Sequence, residues 1–197
     1  MASGNSRTRT PARERLLQAA DELFYGEGVQ VVGIDRVIER AGVAKASLYN
    51  TFGSKEGLVC AYLDARHERS RHRITRTLTR FRSPRERLLG VFDAQGEAFT
   101  DPAYNGCAFV RATAEAPEDS SVRHAAERYR IWILELFTEL ADAAGFAEPE
   151  ELARRLRLLY DGAEQAARMD RDPSAATSAR HAAAAVLDAA PLRDSRR

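Results

Sequence analysis

Apolar residues recur at helical spacing along most of the chain. In the first such segment Leu16, Ala20 and Phe24 share one face, as in an amphipathic helix packed against a core. Thr10, followed by proline, is typical of a helix start, because the threonine hydroxyl can cap a free amide and proline has no amide to satisfy. Gly26 and Gly28 predict its end.

Two short helices are predicted next, with a tight turn between them. Apolar residues at i, i+3, i+4 and i+7 form the first, namely Ile34, Val37, Ile38 and Ala41. Gly42 follows at the position where a left-handed residue usually ends a helix. The second is expected over about residues 44–52, with Leu48 facing inward. Helices this short are marginal in water, so the first three must stabilise one another by packing.

The rest of the chain predicts six more helices. Their expected ranges are about 54–81, 83–99, 107–116, 122–145, 149–171 and 174–190. Ser83, Pro84 and Glu86 form a capping box with proline at the first helical position, which is a strong start signal. Because no run of alternating Val, Ile and Thr predicts a strand, the sequence indicates an all-α fold of about nine helices.

Composition narrows the class of protein. Hydrophobic residues make up 44% and charged residues 30%, which is typical of a soluble globular chain, and no stretch approaches the roughly 18 apolar residues of a membrane span. The N-terminus lacks the apolar segment of a secretion signal, and Cys60 and Cys107 form no paired motif. We therefore expect a cytoplasmic protein with no membrane partner.

The net charge is close to zero but unevenly distributed. The chain has 30 basic and 29 acidic residues, which excludes a generally basic coat for nucleic acid. Residues 1–80 carry a net charge of +5, whereas residues 1–57 have 8 basic and 7 acidic side chains. Most of the excess is a cluster formed by Arg66, Arg69, Arg71, Arg73, Arg76 and Arg80. A solvated helix face is the favoured interpretation of this cluster, and a nucleic-acid contact is the alternative.

Residues 33–52 have the spacing of a helix-turn-helix motif. Ala41 and Gly42 are small where two helices would cross closely. The outward side of the second helix would then present hydrogen-bonding side chains suited to phosphates and to base edges in a major groove, namely Lys45, Ser47, Tyr49 and Asn50.

With these residues in place, the N-terminal third resembles the TetR family of bacterial transcriptional regulators. The match covers about residues 10–63 and consists of Phe24, Val37, Ala41-Gly42-Val43, Leu48-Tyr49, Phe52 and Ser54-Lys55-Glu56-Gly57-Leu58. The resemblance implies a homodimeric, ligand-responsive regulator, usually a repressor. It also implies double-stranded operator DNA and a small organic effector of unknown identity as partners, with no cofactor or metal.

The resemblance places the DNA contacts on Gly33, Lys45, Ala46, Ser47, Tyr49, Asn50 and Lys55. Lysines and the tyrosine hydroxyl would bind phosphate, and Ser47 and Asn50 would reach base edges. Alternatively, Tyr49 packs and Asn50 faces solvent. The chain departs from the family at Gly33 and Ala44, where a hydroxyl residue is common, and Ala44 loses about 0.5–2 kcal/mol of helix capping. Arg7 and Arg9 lie in a polar tail that could reach a minor groove.

A ligand pocket is expected in the C-terminal part, residues 58–190. Its candidate lining is mostly aromatic and uncharged: Tyr62, His67, Phe92, Gln95, Phe99, Cys107, Val110, Tyr129, Trp132 and Phe137. These residues predict an apolar or flat organic effector, although packed core is the favoured interpretation for any single one of them. A thiol switch at Cys107 is an alternative, but a buried cysteine beside apolar residues is usually inert.

The last two predicted helices are candidates for a dimer interface. The proposed contact residues are Leu152, Leu156, Leu159, Ala163, Ala166, Ala179, Ala182, Ala183, Val186 and Leu187. Two copies of such a pair form a twofold four-helix interface, which predicts a palindromic operator with recognition helices about 34–36 Å apart, or further for an extended site. Residues 1–9 and 191–197 are expected to be flexible tails flanking a DNA-binding domain of residues 10–57 and the C-terminal domain.

The sequence is also compatible with two other functions. One is an activator or a ligand-independent DNA-binding protein. The other is a small all-α enzyme, although no nucleophile elbow or phosphate-binding loop occurs. His67 and His72 are five residues apart, which puts them on different sides of a helix, so they cannot share a metal.

Overall fold

Residues 10–114 and 116–194 are described by a computed structural model, and within these ranges the chain forms nine helices and an isolated bridge between Phe146 and Leu192. The helices are α1 (Ala12–Glu27), α2 (Ile34–Ala41), α3 (Lys45–Phe52), α4 (Lys55–Leu78), α5 (Pro84–Phe99), α6 (Ala108–Thr113), α7 (Ser121–Ala143), α8 (Pro149–Met169) and α9 (Ala175–Ala189). The all-α prediction is confirmed. In the same ranges, no helix combines the length and the apolar character needed to cross a membrane.

Most of the predicted helix starts and ends are found. The Ser54 hydroxyl accepts a hydrogen bond from the Gly57 amide at 3.0 Å, and Ser83 and Glu86 form the predicted capping box. Gly42 has the left-handed conformation expected at the end of α2, with φ of 60°. One start differs, because Pro11 and not Thr10 occupies the N-cap of α1, and no side chain caps that end.

The first three helices enclose a small core of their own. Leu16, Val37 and Leu48 are fully buried between them. Arg15 on α1 also holds the turn of the helix-turn-helix, since its Nη1 donates to the carbonyls of Ala41 and Gly42 at 2.9 Å each. These contacts fix the orientation of α3 relative to α1 and α2.

The C-terminal helices pack around an aromatic core. The rings of Phe92 on α5, Phe137 on α7 and Tyr160 on α8 lie 5.8–6.2 Å apart by their centroids, and all three are buried. Helix α8 packs against both α7 and α9, and α9 also packs against α5. Helix α4 runs from the end of α3 into this bundle and contacts α1, α5 and α7, so it connects the two parts of the chain.

The segment after α9 folds back onto the turn between α7 and α8. The Ala147 amide donates to the Pro191 carbonyl at 2.9 Å, and the Arg193 amide donates to the Gly145 carbonyl at 2.8 Å. Residues 191–194 are therefore held in place, in contrast to the flexible tail predicted from residue 191. Residues 195–197 and the predicted tail of residues 1–9, with Arg7 and Arg9, lie outside the described residues.

Candidate nucleic-acid interface and regulatory cavity

Helix α3 presents one side to the core and another to the exterior. Leu48 is fully buried, whereas Lys45, Ala46, Tyr49 and Asn50 are exposed, with 43% of Tyr49 accessible. Since these four positions lie on adjoining turns of one helix face, the structure brings together most of the residues predicted to contact DNA. Ser47 lies beside them and is half-buried.

The Lys45 ammonium group has an acidic partner on the preceding helix. Its Nζ lies 3.0 Å from the Asp35 carboxylate, and both side chains are exposed. This hydrogen bond raises the pKa of Lys45, so the lysine keeps its positive charge. Exposed pairs of this kind are weak, so a DNA phosphate could replace Asp35 as the partner.

The starts of α2 and α3 have no side-chain caps. Gly33 and Ala44 have extended backbone at the two N-caps, and neither start has a side-chain hydrogen bond. The amides at these helix starts therefore lack the hydroxyl that is common in the family. The exposed side of α3 also includes Thr51, which the sequence analysis did not name as a candidate DNA contact. Its hydroxyl donates to the Ser47 carbonyl at 2.7 Å. Its position one helical turn after Ser47 indicates that it lies on the same side.

Lys55 lies apart from the exposed side of α3. It is half-buried and lines a groove of about 270 Å³ together with Val29, Ala116 and Val122. Burial lowers the pKa of Lys55. Next to it, Glu56 accepts hydrogen bonds from the backbone and hydroxyl of Ser121 at 3.1 and 2.5 Å, which ties the start of α4 to the start of α7.

The predicted pocket residues form packed core instead of a cavity. Tyr62, Phe92, Gln95, Tyr129 and Phe137 are buried, and the Phe109 ring stacks on Tyr129 with 4.0 Å between centroids. His67 and Trp132 are half-buried, with ring centroids 5.1 Å apart. Aromatic rings at helical spacing interlock and fill the space that a ligand would need.

The other three predicted pocket residues, Phe99, Cys107 and Val110, lie in different surroundings. Val110 is 44% exposed on the outside of α6, so its predicted role in lining the pocket is wrong. Phe99 is buried and borders a different hollow near the end of α8. Among the predicted pocket residues, only Cys107 lines the cavity between α1, α4 and α8.

A cavity of about 400 Å³ lies at the junction of the two parts of the chain. Its walls include Asp21 and Tyr25 from α1, Arg66, Arg69 and Arg73 from α4, and Glu164 from α8. These arginines share one face of α4, so half of the basic cluster lines a cavity. The other half, Arg71, Arg76 and Arg80, is more than half exposed, in agreement with the solvated face predicted. The lining combines charged side chains with aromatic rings and alanines, in contrast to the mostly uncharged pocket predicted.

Charged contacts join α1 to α4 along the cavity wall. The Asp21 carboxylate lies 2.6 Å from Arg66 Nε and also binds Arg69. The Arg66 guanidinium stacks over the Tyr25 ring at 3.5 Å from its centroid. The Tyr25 hydroxyl donates to the Gly106 carbonyl at 3.0 Å, so the end of α1 is also fastened to the loop before α6. A molecule in the cavity would contact both parts of the chain.

Two titratable groups in the cavity wall are perturbed by burial. Burial raises the pKa of Glu164 to about 7, although a hydrogen bond with Cys107 and the positive charge of Arg73 each lower it. Burial also raises the pKa of the Cys107 thiol well above its usual value. A thiol kept protonated is a poor nucleophile, which disfavours the thiol-switch alternative.

Most of the predicted dimer residues are buried inside the single chain. Leu152, Leu156, Ala163, Ala179, Ala183 and Leu187 pack within the bundle, so they cannot form an interface between two copies. Leu159, Ala166 and Val186 are half-buried, and Ala182 is exposed. The pattern did not distinguish the face that packs within the chain from the face left uncovered, because each helix has apolar residues on two sides.

A different face of α8 and α9 remains uncovered. On α8 it contains Leu158, of which 69% is exposed, together with Leu159, Gly162, Ala166 and Met169. On α9 it contains Ala182, Ala185, Val186 and Ala189. These positions fall at i, i+1, i+4, i+8 and i+11 on α8 and at i, i+3, i+4 and i+7 on α9, which defines one apolar stripe on each helix.

Comparison with known proteins agrees with this architecture. The family described as bacterial regulatory proteins, tetR family, matches residues 16–62. A crystal structure of a TetR-family transcriptional regulator from Streptomyces coelicolor is 34% identical, covers 90% of this chain and 94% of its own, and superposes with a TM-score of 0.84.

Two characterised relatives have opposite regulatory roles. The transcriptional repressor NemR of Escherichia coli is 25% identical over 177 residues, which are 85% of this chain and 89% of NemR. The transcriptional activator FasR of Mycolicibacterium smegmatis is 34% identical over 91 residues, and the match spans 46% of this chain and only 42% of FasR. The chain therefore belongs to the TetR family, and it is a DNA-binding transcriptional regulator and not an enzyme.

Proposed function

We propose that this protein is a repressor that binds a twofold-symmetric operator as a homodimer and releases it when a small organic molecule binds. The observation that carries this proposal is the cavity whose walls come from both α1 and α4, because it connects a ligand site to the helix-turn-helix. Repression is favoured over activation by the long match to NemR, a repressor, whereas the match to the activator FasR is confined to part of each chain.

DNA binding is assigned to the exposed side of α3 within residues 10–57. Lys45 and Tyr49 would bind phosphates, and Asn50, with Ser47 beside it, would contact base edges in the major groove. The exposed start of α2 at Gly33 and the small Ala46 would allow close approach of the DNA backbone. Lys55 is a phosphate ligand only if its side chain leaves the groove in which it is half-buried.

Dimerisation is assigned to the uncovered stripe of α8 and α9. Two copies of these helices related by a twofold axis would bury Leu158 and Met169 and form a four-helix interface. Gly162 and Ala182 would let the helices approach closely, and a Cβ at Gly162 would meet no atom within 4 Å in the single chain. The interface would include four residues that the sequence also predicts, Leu159, Ala166, Ala182 and Val186.

The ligand response would operate through α4. This helix carries the arginines of the cavity wall, and its capped start at Ser54 follows directly from α3. Gly57 fixes that junction, because a Cβ there would lie 2.1 Å from the Phe52 carbonyl oxygen. A ligand that favours one position of α4 would therefore change the spacing of the two recognition helices, to the extent of its differential affinity for the two states.

Selection of bound sequences from random double-stranded DNA tests this proposal. We expect the purified protein to enrich a sequence with two inverted half-sites, each bound by one protomer. An enriched sequence without twofold symmetry would contradict the homodimer, and absence of any enrichment would contradict sequence-specific binding.

A further inference from the structure

We propose that the cavity at the α1–α4 junction binds a small organic monoanion, a carboxylate on an apolar body, with Arg73 as its main ligand. This inference rests on the proposed function in treating the cavity as the effector site. It replaces the apolar effector predicted from the sequence with an anionic one.

Arg73 differs from the other two cavity arginines in its partners. Arg66 and Arg69 both bind the Asp21 carboxylate. Arg73 donates instead to the Ala94 carbonyl at 3.1 Å and, more weakly, to the Ser70 hydroxyl at 3.5 Å. Among residues 10–114 and 116–194, no carboxylate oxygen lies within 4.0 Å of its guanidinium nitrogens. A half-buried guanidinium whose hydrogen-bond partners are all neutral favours an anion as its remaining ligand.

The acidic residues of the wall limit the charge of that anion. Glu97 is held by Arg76 and Arg80 at 3.0 and 2.9 Å, and Asp101 accepts from the Ala103 amide. Asp21 already binds two arginines. A dianion such as hydrogen phosphate would meet these carboxylates as well as Arg73, whereas a single negative charge matches the one arginine without an acidic partner.

The rest of the lining suits an apolar body with a hydrogen-bond acceptor. Tyr25, Tyr104 and Phe109 contribute ring surface, and alanines at 98, 103 and 108 contribute methyl groups. Glu164 lies across the same cavity, and burial favours its neutral form, which can donate a hydrogen bond to a carboxylate oxygen. A volume of about 400 Å³ is within the usual range for small-molecule sites.

Calorimetric titration of the DNA-free, full-length protein provides the test. The probes are benzoate, phenylacetate and cyclohexanecarboxylate, each compared with its uncharged primary amide, and inorganic phosphate. We expect at least one carboxylate to bind about tenfold or more tightly than its amide, because the charge-assisted hydrogen bonds to arginine are lost with the charge. Equal affinity for acid and amide, tighter binding of phosphate, or no carboxylate binding at about 10 mM, ten times the Kd of a millimolar site, would overturn the proposal.

Two substitutions on α4 locate the site. Arg73→Gln should weaken carboxylate binding by about tenfold or more, and Arg73→Lys should weaken it less, since a point charge remains. Arg71→Gln is the matched control: it removes the same charge from the same helix, but Arg71 is exposed, pairs with Glu68 and does not line the cavity. Equal losses in Arg73→Gln and Arg71→Gln would show a general charge effect and would also overturn the proposal.

Failure of this inference is distinct from failure of the proposed function. Calorimetry reports ligand binding without DNA, whereas sequence selection reports DNA binding without ligand. Enrichment of a symmetric operator together with absence of carboxylate binding would overturn the anion site alone. Carboxylate binding at Arg73 that leaves operator affinity unchanged would support the site and contradict the ligand-controlled release.

Discussion

The Asp21 carboxylate lies 2.6 Å from Nε of Arg66, and this contact joins a helix of the helix-turn-helix part to a helix that walls the cavity. The two side chains are only 28% and 21% exposed, so solvent screens their attraction less than that of the surface pairs elsewhere on the protein. The contact is therefore suited to transmit a change in the cavity to α1.

Replacing Asp21 should destabilise the protein through this contact. In Asp21→Asn, Arg66 and Arg69 lose their common acidic partner, and we expect the free energy of unfolding to fall by about 1.5–3 kcal/mol in urea titrations. The matched control is Asp64→Asn, which breaks the Arg128 pair, whose side chains are both 54% exposed, and should cost less than about 1 kcal/mol. Similar losses in both variants would show that the Asp21 contact has no special strength.

Two α3 substitutions should have different effects on operator binding. Asn50→Ala should weaken the free energy of operator binding by about 1–3 kcal/mol and relax the base preference at one position of each half-site. Lys45→Ala should weaken binding to all sequences alike. It should also reduce the salt slope, the slope of log affinity against log salt concentration, by about 1 per protomer. Mobility-shift titrations on operators with single base changes at several salt concentrations separate the two effects. Unchanged base preference in Asn50→Ala would show that this side chain faces solvent.

The salt slope of the unsubstituted protein checks the same assignment. Arg66 and Arg69 bind Asp21, and Arg76 and Arg80 bind Glu97, so we expect few phosphate contacts from this cluster. The dependence of operator affinity on salt concentration should then be shallow, because its slope counts the DNA phosphates that the protein neutralises. A slope near −10, about that of a repressor with many phosphate contacts, would require the cluster or the N-terminal residues to bind DNA.

A charge on the uncovered stripe of α8 should prevent dimerisation without unfolding the chain. Leu158→Glu introduces a carboxylate at a side chain that is 69% exposed in the single chain, so the folded protomer loses little. We expect sedimentation to show a monomer where the unsubstituted protein is a dimer. Val31→Glu, at an exposed position between α1 and α2, is the control and should remain dimeric. A dimeric Leu158→Glu protein would place the interface elsewhere.

Glu164 should make stability depend on pH. The pKa of Glu164 in the folded protein is about 7, above the usual value of 4.5. The contribution of this group to the free energy of unfolding is therefore fully present below pH 4.5 and is lost as the pH rises through 7. The titratable and charged groups that interact with the Glu164 carboxyl are Cys107, Asp161, Arg73, Arg130, Tyr25, Tyr104, Tyr129 and Tyr160.

Glu164→Gln mimics the protonated form and tests this dependence. The variant should match the unsubstituted protein near pH 4.5 and exceed its free energy of unfolding above pH 7, by up to about 3 kcal/mol. Glu135→Gln, at an exposed position of α7, should leave the pH profile unchanged. If the Glu164→Gln profile is parallel to that of the unsubstituted protein, the carboxyl is not buried in its neutral form.

Local signals in the sequence were sufficient for the helices and for the exposed side of α3. Capping by Ser54 and Ser83 depends on residues within one turn, and the left-handed Gly42 ends α2 for the same local reason. The position of Leu48 in the core then fixes Tyr49 and Asn50 on the outside, because neighbouring positions on a helix point in different directions.

Contacts between distant helices could not be predicted in this way. Periodicity shows that Leu156 and Leu158 lie on different faces of α8, but not that the Leu156 face packs within the chain and the Leu158 face remains uncovered. The cavity depends on Asp21 meeting Arg66 and on Glu164 of α8 lining the same space. Such charged residues suggest a solvated surface when read singly, and only the packing of three helices shows that they enclose a cavity.

Quantitative binding of the selected operator by the unsubstituted protein and by the double variant Lys45→Ala, Tyr49→Ala tests the central claim most directly. Both proteins should have the same circular dichroism and the same oligomeric state, since both side chains are exposed. The account predicts that specific binding is lost in the double variant at matched salt concentration. Unchanged operator affinity in a folded double variant would contradict the assignment of DNA binding to the exposed side of α3.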